Sequence, residues 1–353
     1  MREFNYKNLE KRTWDNEILA YVAQIHEYKG KQELYIRQKL VELDRLVEIA
    51  KVQSTEASNR IEGIITTNAR LKQLVEDKTT PRNRNEKEIL GYRNVLNLVH
   101  ESYAAIPVRP NYILQMHRDL LRYTSLTYVG CFKTVPNEID MTLSDGERIV
   151  LFQPLAPYET PDAVAAICTS FQETLNRGMV DPLILIPCFI LDFLCIHPFN
   201  DGNGRMSRLL TLLLMYRSGY LVGQYISIEK AIADTKDSYY NALADADQGW
   251  HASKNDPKPF IKYMLGVILS CYREFEDRIS IVWKAGAKST SYDIVREYVL
   301  NKIGIFTKQE ALAACPSLGR SSVESALKKL TADGTIAKMG AGRKTHYVRS
   351  DAL

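Results

Sequence analysis

Residues 197–208 read HPFNDGNGRMSR and hold more reactive groups than any other stretch of this sequence. An apolar run, LILIPCFILDFLCI at 183–196, precedes them, and a second, RMSRLLTLLLMYRSGY at 205–220, overlaps their end. Apolar runs of this length on either side of a glycine cluster are typical of buried helices. The stretch is therefore predicted to form a tight turn between two buried helices, held in place by the core.

The backbone of this turn suits a bound anion. Gly202 and Gly204 let the chain bend sharply and let a ligand approach it closely. Asn203, Gly204 and Arg205 then present unpaired N–H groups at the start of the second helix. The helix dipole favours negative charge at that end, so the pattern predicts an anion site.

The side chains of the turn add a base, a carboxylate and two cations. Arg205 and Arg208 are three apart, so on a helix both point to one side, where planar guanidinium groups suit phosphate oxygens. Asp201 beside such oxygens suits Mg²⁺ (or Mn²⁺), which takes carboxylate, phosphate and water ligands. His197 titrates near neutral pH and suits a base that takes a proton from a hydroxyl. The alternative is a plain glycine turn with a buried histidine and solvated arginines, but the coincidence of these groups favours a catalytic site.

The stretch also resembles, at every defined position, the signature H-x-F-x-[DE]-G-N-G-R-x-x-R of the Fic family. The resemblance covers roughly residues 50–270 and implies a mostly helical fold that moves a phosphate-containing group, usually AMP from ATP, onto a hydroxyl of a target protein. It implies that His197 is the general base, that Asp201 is the Mg²⁺ ligand, that Gly202, Asn203 and Gly204 form an anion hole, that Arg205 binds phosphate and that Arg208 binds the γ-phosphate. Catalysis in such a site rests mainly on positioning and charge neutralisation.

A second motif lies far upstream of the turn. A helical pattern at 31–63 begins after Gly30 and ends in SNRIEG, at a glycine, a residue type favoured just past a helix end. Ser58 and Glu62 are four apart on one face, a spacing that by itself is typical of a solvated helix edge. SNRIEG also resembles the family's inhibitory pattern [ST]-x-x-x-E-[GN]. This resemblance implies that Glu62 pairs with Arg208, blocks productive seating of the γ-phosphate and keeps the free enzyme mostly off.

Residues 130–158 differ in character from the helical sequence around them. Alternating and β-branched residues surround SDG at 144–146, which predicts a hairpin. Fic proteins carry here a flap that clamps a segment of the target protein by strand addition, so the resemblance implies that the edge near 130–140 recognises target backbone. Family flaps usually have arginine where Lys133 stands, and the insert around SDG is longer than usual. These differences leave the target protein open.

Three residues outside the turn have ring side chains that are assigned either to the core or to the binding site. Tyr239 and Tyr240 would ordinarily be core or half-exposed aromatics. With Leu243 they match the family's YYxxL pattern, which implies that both tyrosines line an adenine pocket. His117 lies on the apolar face of the helical pattern at 111–123 and is interpreted as a satisfied core histidine without a catalytic role.

The last portion, 288–353, is predicted to be a separate unit. Its pattern of three helices and a two-stranded wing that turns at GAG is typical of a winged helix-turn-helix. It holds eleven Lys or Arg against six Asp or Glu, a surplus of five positive charges. Since the whole chain has a formal net charge of +4, the first 287 residues have a net charge of about −1. The side chains suited to phosphates are Arg320, Ser321, Ser322, Lys328 and Lys329 on the third helix and Arg343 and Lys344 at the wing. Binding of DNA and docking of a protein, including a second copy of the chain as a homodimer, are both open.

Composition sets the remaining bounds. At 353 residues the chain is long enough for two or three domains with sizeable cores. Its six cysteines form no C-x-x-C pair and several of them sit in apolar runs, which predicts buried thiols in a reducing compartment, without disulfides or zinc. The N-terminal MREFNYKNLEKR lacks the apolar core of a signal peptide, and the longest apolar run is broken by Pro187 and Asp192. A cytoplasmic protein without a membrane segment is expected.

Together these patterns predict a mainly α fold with three regions. An N-terminal helical region at 1–110 holds the inhibitory helix at about 50–63, a Fic catalytic core with a β-hairpin flap occupies 111–275, and a small winged-helix domain occupies 288–353. The expected function is an autoinhibited protein adenylyltransferase that uses ATP and Mg²⁺. The alternatives are another Fic phosphotransfer, removal of AMP, or, from a different class, a DNA-binding regulator whose core only senses nucleotide.

Overall fold

The structure is a computed structural model that describes residues 2–37, 41–142, 148–285, 290–302, 304–315, 318–340, 342 and 345–350. The chain divides into two compact units. Unit 1 comprises residues 1–29 and 50–271, and unit 2 comprises residues 30–49 and 272–353.

Helices make up most of the described chain, so the prediction of a mainly α fold is confirmed. The α-helices of the described ranges are α1 (Asn16–Arg37), α2 (Val41–Ile61), α3 (Asn68–Val75), α4 (Arg84–Ser102), α5 (Pro110–Leu120), α6 (Thr160–Arg177), α7 (Pro182–Ile196), α8 (Asn203–Arg217), α9 (Ile228–Asp234), α10 (Lys236–Asp247), α11 (Lys258–Ala285), α12 (Ser291–Asn301), α13 (Lys308–Ala314) and α14 (Arg320–Ala332). The strands are β1 (Ile139–Thr142), β2 (Arg148–Phe152), β3 (Ile336–Met339) and β4 (His346–Arg349). Within these ranges no helix is both long and apolar enough to cross a membrane.

The helix boundary predicted at Gly30 is wrong. Helix α1 continues through Gly30 to Arg37, and the helix that carries SNRIEG is α2, which begins at Val41. A single glycine inside a helix costs only about 1 kcal/mol relative to alanine, so the flanking helix-forming residues carry α1 through it. Gly63, with φ of 75°, does follow the end of α2 as expected.

Helix α7 forms the centre of the unit 1 core. Every residue from Leu183 to Ile196 is buried, and α6 and α8 pack against it. The helix starts at a defined point because the Asp181 side chain accepts a hydrogen bond from the Leu183 N–H at 2.8 Å and Pro182 follows it. Its end is thereby placed inside the core, where the reactive turn begins.

One acidic side chain, Asp192, is buried on α7 and ties the N-terminal segment to it. Asp192 accepts hydrogen bonds from Arg2 at 2.9 Å, from the Tyr6 hydroxyl at 2.9 Å and from Trp250 Nε1 at 2.7 Å. A buried carboxylate with this many donors costs little of the desolvation penalty that an unpaired one would. The network therefore ties the N-terminal segment and Trp250 to α7.

The predicted hairpin is present in unit 1. Strands β1 and β2 pair antiparallel, with Asp140 opposite Val150 and Met141 opposite Ile149. Val150 and Leu151 are about half exposed, at 47% and 50%. The SDG turn predicted at 144–146 lies outside the described residues.

Unit 2 contains the elements expected of its C-terminal part in the expected order: α12, α13, α14, β3 and β4. Its core includes Val295, Val323, Leu327 and Ile336. Strands β3 and β4, at the positions predicted for a two-stranded wing, pair antiparallel. Arg343 and Lys344, assigned to the wing, lie outside the described residues.

Candidate active site

The turn between α7 and α8 is built from local hydrogen bonds. His197 ends α7 in the left-handed conformation, at φ 50°, and Gly202 begins α8 at φ 84°. The Phe199 N–H donates to Asn203 Oδ1 at 2.9 Å, and Asn203 Nδ2 donates to the Phe199 carbonyl at 2.7 Å. The tight turn between two buried helices predicted from the sequence is confirmed.

His197 is held as a neutral base. Its Nδ1 lies 3.2 Å from the Leu194 carbonyl, so Nδ1 carries the proton and Nε2 is left to accept one. Burial lowers the pKa of His197 to about 4, and the Lys133 cation lowers it as well, although the Leu194 carbonyl and Glu62 act in the opposite direction. Near neutral pH the ring is therefore uncharged and can take a proton.

His117 supports the same turn from α5. The Gly130 N–H donates to His117 Nδ1 at 3.0 Å, so Nε2 carries the proton and donates to the Asp201 carbonyl at 3.0 Å. Its ring stacks on Phe199 with the centroids 3.8 Å apart. His117 is thus a buried, satisfied histidine, and the structure adds that it holds the backbone just before Gly202.

The N-terminus of α8 is covered by a carboxylate. A Cβ atom built on Gly204 would lie 2.3 Å from Glu62 Oε1, so that oxygen rests directly against the first turn of α8. A side chain at Gly204 would displace this oxygen from its present position. The Glu62 carboxylate therefore occupies the place where the unpaired N–H groups and the dipole of α8 favour an anion.

Arg208 holds Glu62 in that place. Its NH2 donates to Glu62 Oε1 at 2.7 Å and to the Ser58 carbonyl at 2.9 Å, while Nε donates to Ser58 Oγ at 2.8 Å. Although burial opposes ionisation, the Arg208 cation lowers the pKa of Glu62 below its usual value. The guanidinium has little room for another anion, because its side chain is only 3% exposed.

Helix α2, which ends just before Glu62, is fastened by a buried acid, Glu229 on α9. Ser54 Oγ donates to Glu229 Oε2 at 2.7 Å, and the Tyr92 hydroxyl donates to Oε1 at 3.0 Å. Burial raises the pKa of Glu229. No local pattern indicates this attachment, since a single glutamate in the first turn of a short helix is a common feature of helix starts.

Arg205 and Arg208 have different partners, although they are three residues apart. Arg205 is 1% exposed in its side chain and donates to Glu88 Oε2 at 2.7 Å. Glu88, on α4, also accepts from Arg84 at 2.8 Å. Sequence reasoning missed Glu88; the available signal was an Arg84–Glu88 pair four residues apart in the first turns of a helix. The buried Glu88 carboxylate therefore holds the Arg205 guanidinium in place beside the turn.

Asp201 is the candidate Mg²⁺ ligand. Its side chain is 34% exposed, 3.4 Å from Arg205 NH2 and 3.6 Å from Arg84 NH2. No cluster of three or more His, Cys, Asp or Glu side chains suited to a metal occurs among the residues that the structure describes. A single carboxylate fits Mg²⁺ when phosphate oxygens and water supply the remaining ligands. The residues present thus suit a metal that arrives with a nucleotide.

The two tyrosines of the YYxxL match differ in exposure. Tyr239 is 4% exposed and its ring packs against Phe260 and Tyr263. Tyr240 is 41% exposed, and its ring meets that of Tyr239 edge-on at 5.3 Å. Tyr240 therefore offers a ring face or edge to a ligand, whereas Tyr239 mainly supports it.

In unit 2, α14 presents a polar face. Ser321, Lys328 and Lys329 are exposed and Ser322 is partly exposed. Arg320 lies 3.3 Å from Glu324, which also pairs with Lys308 at 2.8 Å. The lysines at the end of α14 are thus the better candidates for contact with phosphates than Arg320, whose charge is balanced.

Comparison with known proteins places the turn in a family. Residues 107–215 match the Fic/DOC family. Protein adenylyltransferase fic-1 of Caenorhabditis briggsae is 28% identical over 152 residues, 43% of this chain and 25% of that protein. Protein adenylyltransferase Fic of Drosophila melanogaster is 25% identical over 229 residues, 63% of this chain and 41% of that protein. The chain thus spans between a quarter and two fifths of the length of these relatives.

Solved structures agree on the fold. A Fic family protein from Desulfovibrio desulfuricans is 21% identical, with a TM-score of 0.62 over 96% of this chain and 97% of that one. This chain therefore carries a Fic/DOC domain at residues 107–215 within a fold shared with Fic family proteins.

Proposed function

We propose that this protein is an autoinhibited protein adenylyltransferase, which transfers AMP from ATP to a hydroxyl side chain of a target protein. The observation that supports this most is the arrangement at the start of α8. A neutral His197 lies beside an anion-binding helix end, and Glu62 occupies that end while paired with Arg208 at 2.7 Å. A carboxylate in this place would inhibit a reaction that requires an anion, such as a phosphate group of ATP, to bind at the same helix end.

In the proposed reaction the target hydroxyl oxygen attacks the α-phosphorus of ATP. The bond from that phosphorus to the bridging oxygen breaks, and pyrophosphate leaves. The hydroxyl proton moves to His197 Nε2. Arg205, Arg208 and the first N–H groups of α8 hold phosphate oxygens. Asp201 would hold the Mg²⁺ of the bound nucleotide, which supplies charge neutralisation when present.

The proposed function also assigns residues to the adenine ring of ATP and to the target protein. Tyr240, with Tyr239 behind it, contacts the adenine ring. The target protein adds an extended segment to the hairpin region that begins near 130–140, where Val150 and Leu151 give exposed apolar side chains. Backbone pairing of this kind recognises an extended segment and leaves specificity to its side chains.

The test of the reaction is which part of ATP reaches the target. The Glu62→Gly chain is incubated with Mg²⁺, a cell lysate and ATP labelled on the α- or the γ-phosphate, and labelled proteins are identified by mass spectrometry. We expect label from the α-position only. Label from the γ-position would show phosphorylation, and loss of AMP from a modified target would show removal of AMP. Nucleotide binding without any label transfer would leave the nucleotide-sensing regulator.

AMP transfer is expected to require a divalent metal ion. Because the described site offers one carboxylate for Mg²⁺, transfer should stop in excess chelator and return with Mg²⁺ or Mn²⁺. Asp201→Ala should lower transfer by about 10- to 100-fold at ordinary Mg²⁺ and should need more Mg²⁺ for half-maximal rate. Asp162→Ala, at an exposed position on α6, serves as the control and should match the parent. Full transfer by Asp201→Ala in chelator would contradict the assignment.

For unit 2 we propose duplex DNA as the partner, because Ser321, Lys328 and Lys329 lie on the exposed face of α14 and the C-terminal part has a surplus of five positive charges. The full chain should bind a duplex with an affinity that falls steeply with salt. Replacing both Lys328 and Lys329 by glutamine should weaken binding by about tenfold or more and reduce the salt slope by about two. Lys254→Gln, at an exposed position in unit 1, is the control. No binding at low salt would favour protein docking, and dimerisation that depends on the two lysines would favour a homodimer.

A further inference from the structure

A short segment before β1 binds the backbone of the reactive turn. The Lys133 N–H donates to the Pro198 carbonyl at 2.8 Å, and Lys133 Nζ donates to the Ile196 carbonyl at 3.0 Å. Asn137 Nδ2 donates to the carbonyls of His197, at 3.2 Å, and Phe199, at 3.0 Å. Two residues thus bind the carbonyl oxygens of four successive residues, 196–199.

These carbonyls need donors for a physical reason. The last carbonyl groups of a helix have no partner inside it, and α7 ends at Ile196. His197 itself has a left-handed backbone conformation, φ 50° and ψ 62°, which residues other than glycine rarely adopt. Donors on the peptides before and after His197 oppose its relaxation to an ordinary backbone conformation. The direction of its ring follows from that backbone.

The identity of one donor is unusual for a structural role. Lys133 is 2% exposed, and its Nζ also donates to Asn137 Oδ1 at 2.7 Å, so the two side chains are linked directly. No carboxylate lies within ion-pair distance of Nζ in the described part of the chain. Burial lowers the pKa of Lys133 to about 8, so it still carries charge near neutral pH. A buried ammonium without a counter-charge costs stability, but its charge also acts on His197, whose pKa it lowers.

We propose that Lys133 and Asn137 are positioning residues of the transfer reaction: together they hold the left-handed backbone of His197 and so direct its Nε2 at the attacking hydroxyl. This inference rests on the proposed function. It differs from it because neither residue touches ATP or the hydroxyl. It also gives a role to the lysine that stands where Fic flaps usually have arginine.

The kinetic test uses four variants in the Glu62→Gly chain. Lys133→Met removes the Nζ donor while keeping the length of the side chain, and Asn137→Ala removes two donors without a change of charge. We expect each to lower kcat by about 10- to 100-fold with KM for ATP within about twofold, because misorientation of the base slows chemistry and leaves nucleotide binding alone. Lys133→Arg keeps a charged donor and should retain most of the rate. Lys254→Met makes the same chemical change at an exposed site and should match the parent.

A second readout does not depend on activity. The His197 ring is titrated by NMR, with its signal assigned by its absence in His197→Ala. The charged groups that act on His197 are Glu62 and Lys133, so Lys133→Met should move the midpoint to higher pH by about one pH unit. Lys133→Arg and Asn137→Ala should leave the midpoint near that of the parent. This separates the effect of the charge from the effect of the hydrogen bonds.

The outcomes divide clearly. Unchanged kcat in both Lys133→Met and Asn137→Ala would overturn the inference. So would a loss of kcat in proportion to the folded fraction, measured by urea unfolding, with an unchanged His197 midpoint in Lys133→Met. If the Glu62→Gly chain itself transfers no AMP, the proposed function fails, whereas a shifted midpoint in Lys133→Met still places Lys133 beside His197.

Discussion

The Glu62→Gly variant should transfer AMP about 10- to 100-fold faster than the unaltered chain, because a charge-assisted hydrogen bond of roughly 1.5–3 kcal/mol no longer competes with the γ-phosphate. In the resting chain Glu62 Oε1 is 2.7 Å from Arg208 NH2 and rests on the first turn of α8. Both the cation and the helix end that should hold phosphate are therefore occupied. Removing the carboxylate frees both at once.

The fold should survive this change. Arg208 keeps its hydrogen bonds to the Oγ and carbonyl oxygen of Ser58, and Glu62 lies beyond the last residue of α2. The free energy of unfolding should fall by about 1 kcal/mol. Urea denaturation of both chains measures it.

Self-modification and target labelling at saturating ATP test the rate. Glu56→Gly, which introduces glycine at a partly exposed position of α2 whose side chain pairs with Arg60 and not with Arg208, is the control and should stay slow. Arg208→Ala and the double variant should also be slow, since each lacks the proposed phosphate ligand. Equal rates in the unaltered chain and in Glu62→Gly would show that SNRIEG is only a helix end.

The second large effect is expected at His197. In the Glu62→Gly chain, His197→Ala should lower transfer by about 100- to 10,000-fold, the usual contribution of general acid–base catalysis. The Kd for ATP should stay within about threefold, because the ring acts on the hydroxyl and the nucleotide is held by other groups. Calorimetric titration of ATP measures the second quantity. His26→Ala, at an exposed position on α1, is the control, and undiminished transfer by His197→Ala would exclude the mechanism.

The same base sets the pH dependence. A general base must be unprotonated, and the pKa of His197 is lowered to about 4. Transfer should therefore be constant near neutral pH and fall as the pH drops toward 4, about tenfold per pH unit below the pKa. Glu62 raises the pKa of His197, so its removal should move this fall to slightly lower pH. A rate–pH profile of Glu62→Gly that declines already near pH 6.5, the usual pKa of histidine, would show that His197 is not held neutral.

Some features of this molecule could be predicted from the order of its residues. His197, Asp201, Gly202 and Asn203 lie within seven consecutive positions, so the turn that gathers them is a local structure, decided by the flanking apolar helices and by glycine. The helix end at SNRIEG and the hairpin after Gly130 are local in the same sense. Local backbone preferences and hydrophobic periodicity act over a few residues, and these elements depend on little else.

Other features required partners distant in the chain. Glu88 meets Arg205 across 117 positions, Glu62 meets Arg208 across 146, and Asn137 reaches the His197 carbonyl across 60. No local pattern says which guanidinium a buried carboxylate will meet, because that depends on how the helices pack. The spacing of Arg205 and Arg208 placed both on one side of α8, yet packing against α4 and α2 gave each a different carboxylate. The sequence alone determined which groups the turn contains. Only the tertiary structure decided which of them are held, covered or left to act, because burial and pairing are set by contacts between elements.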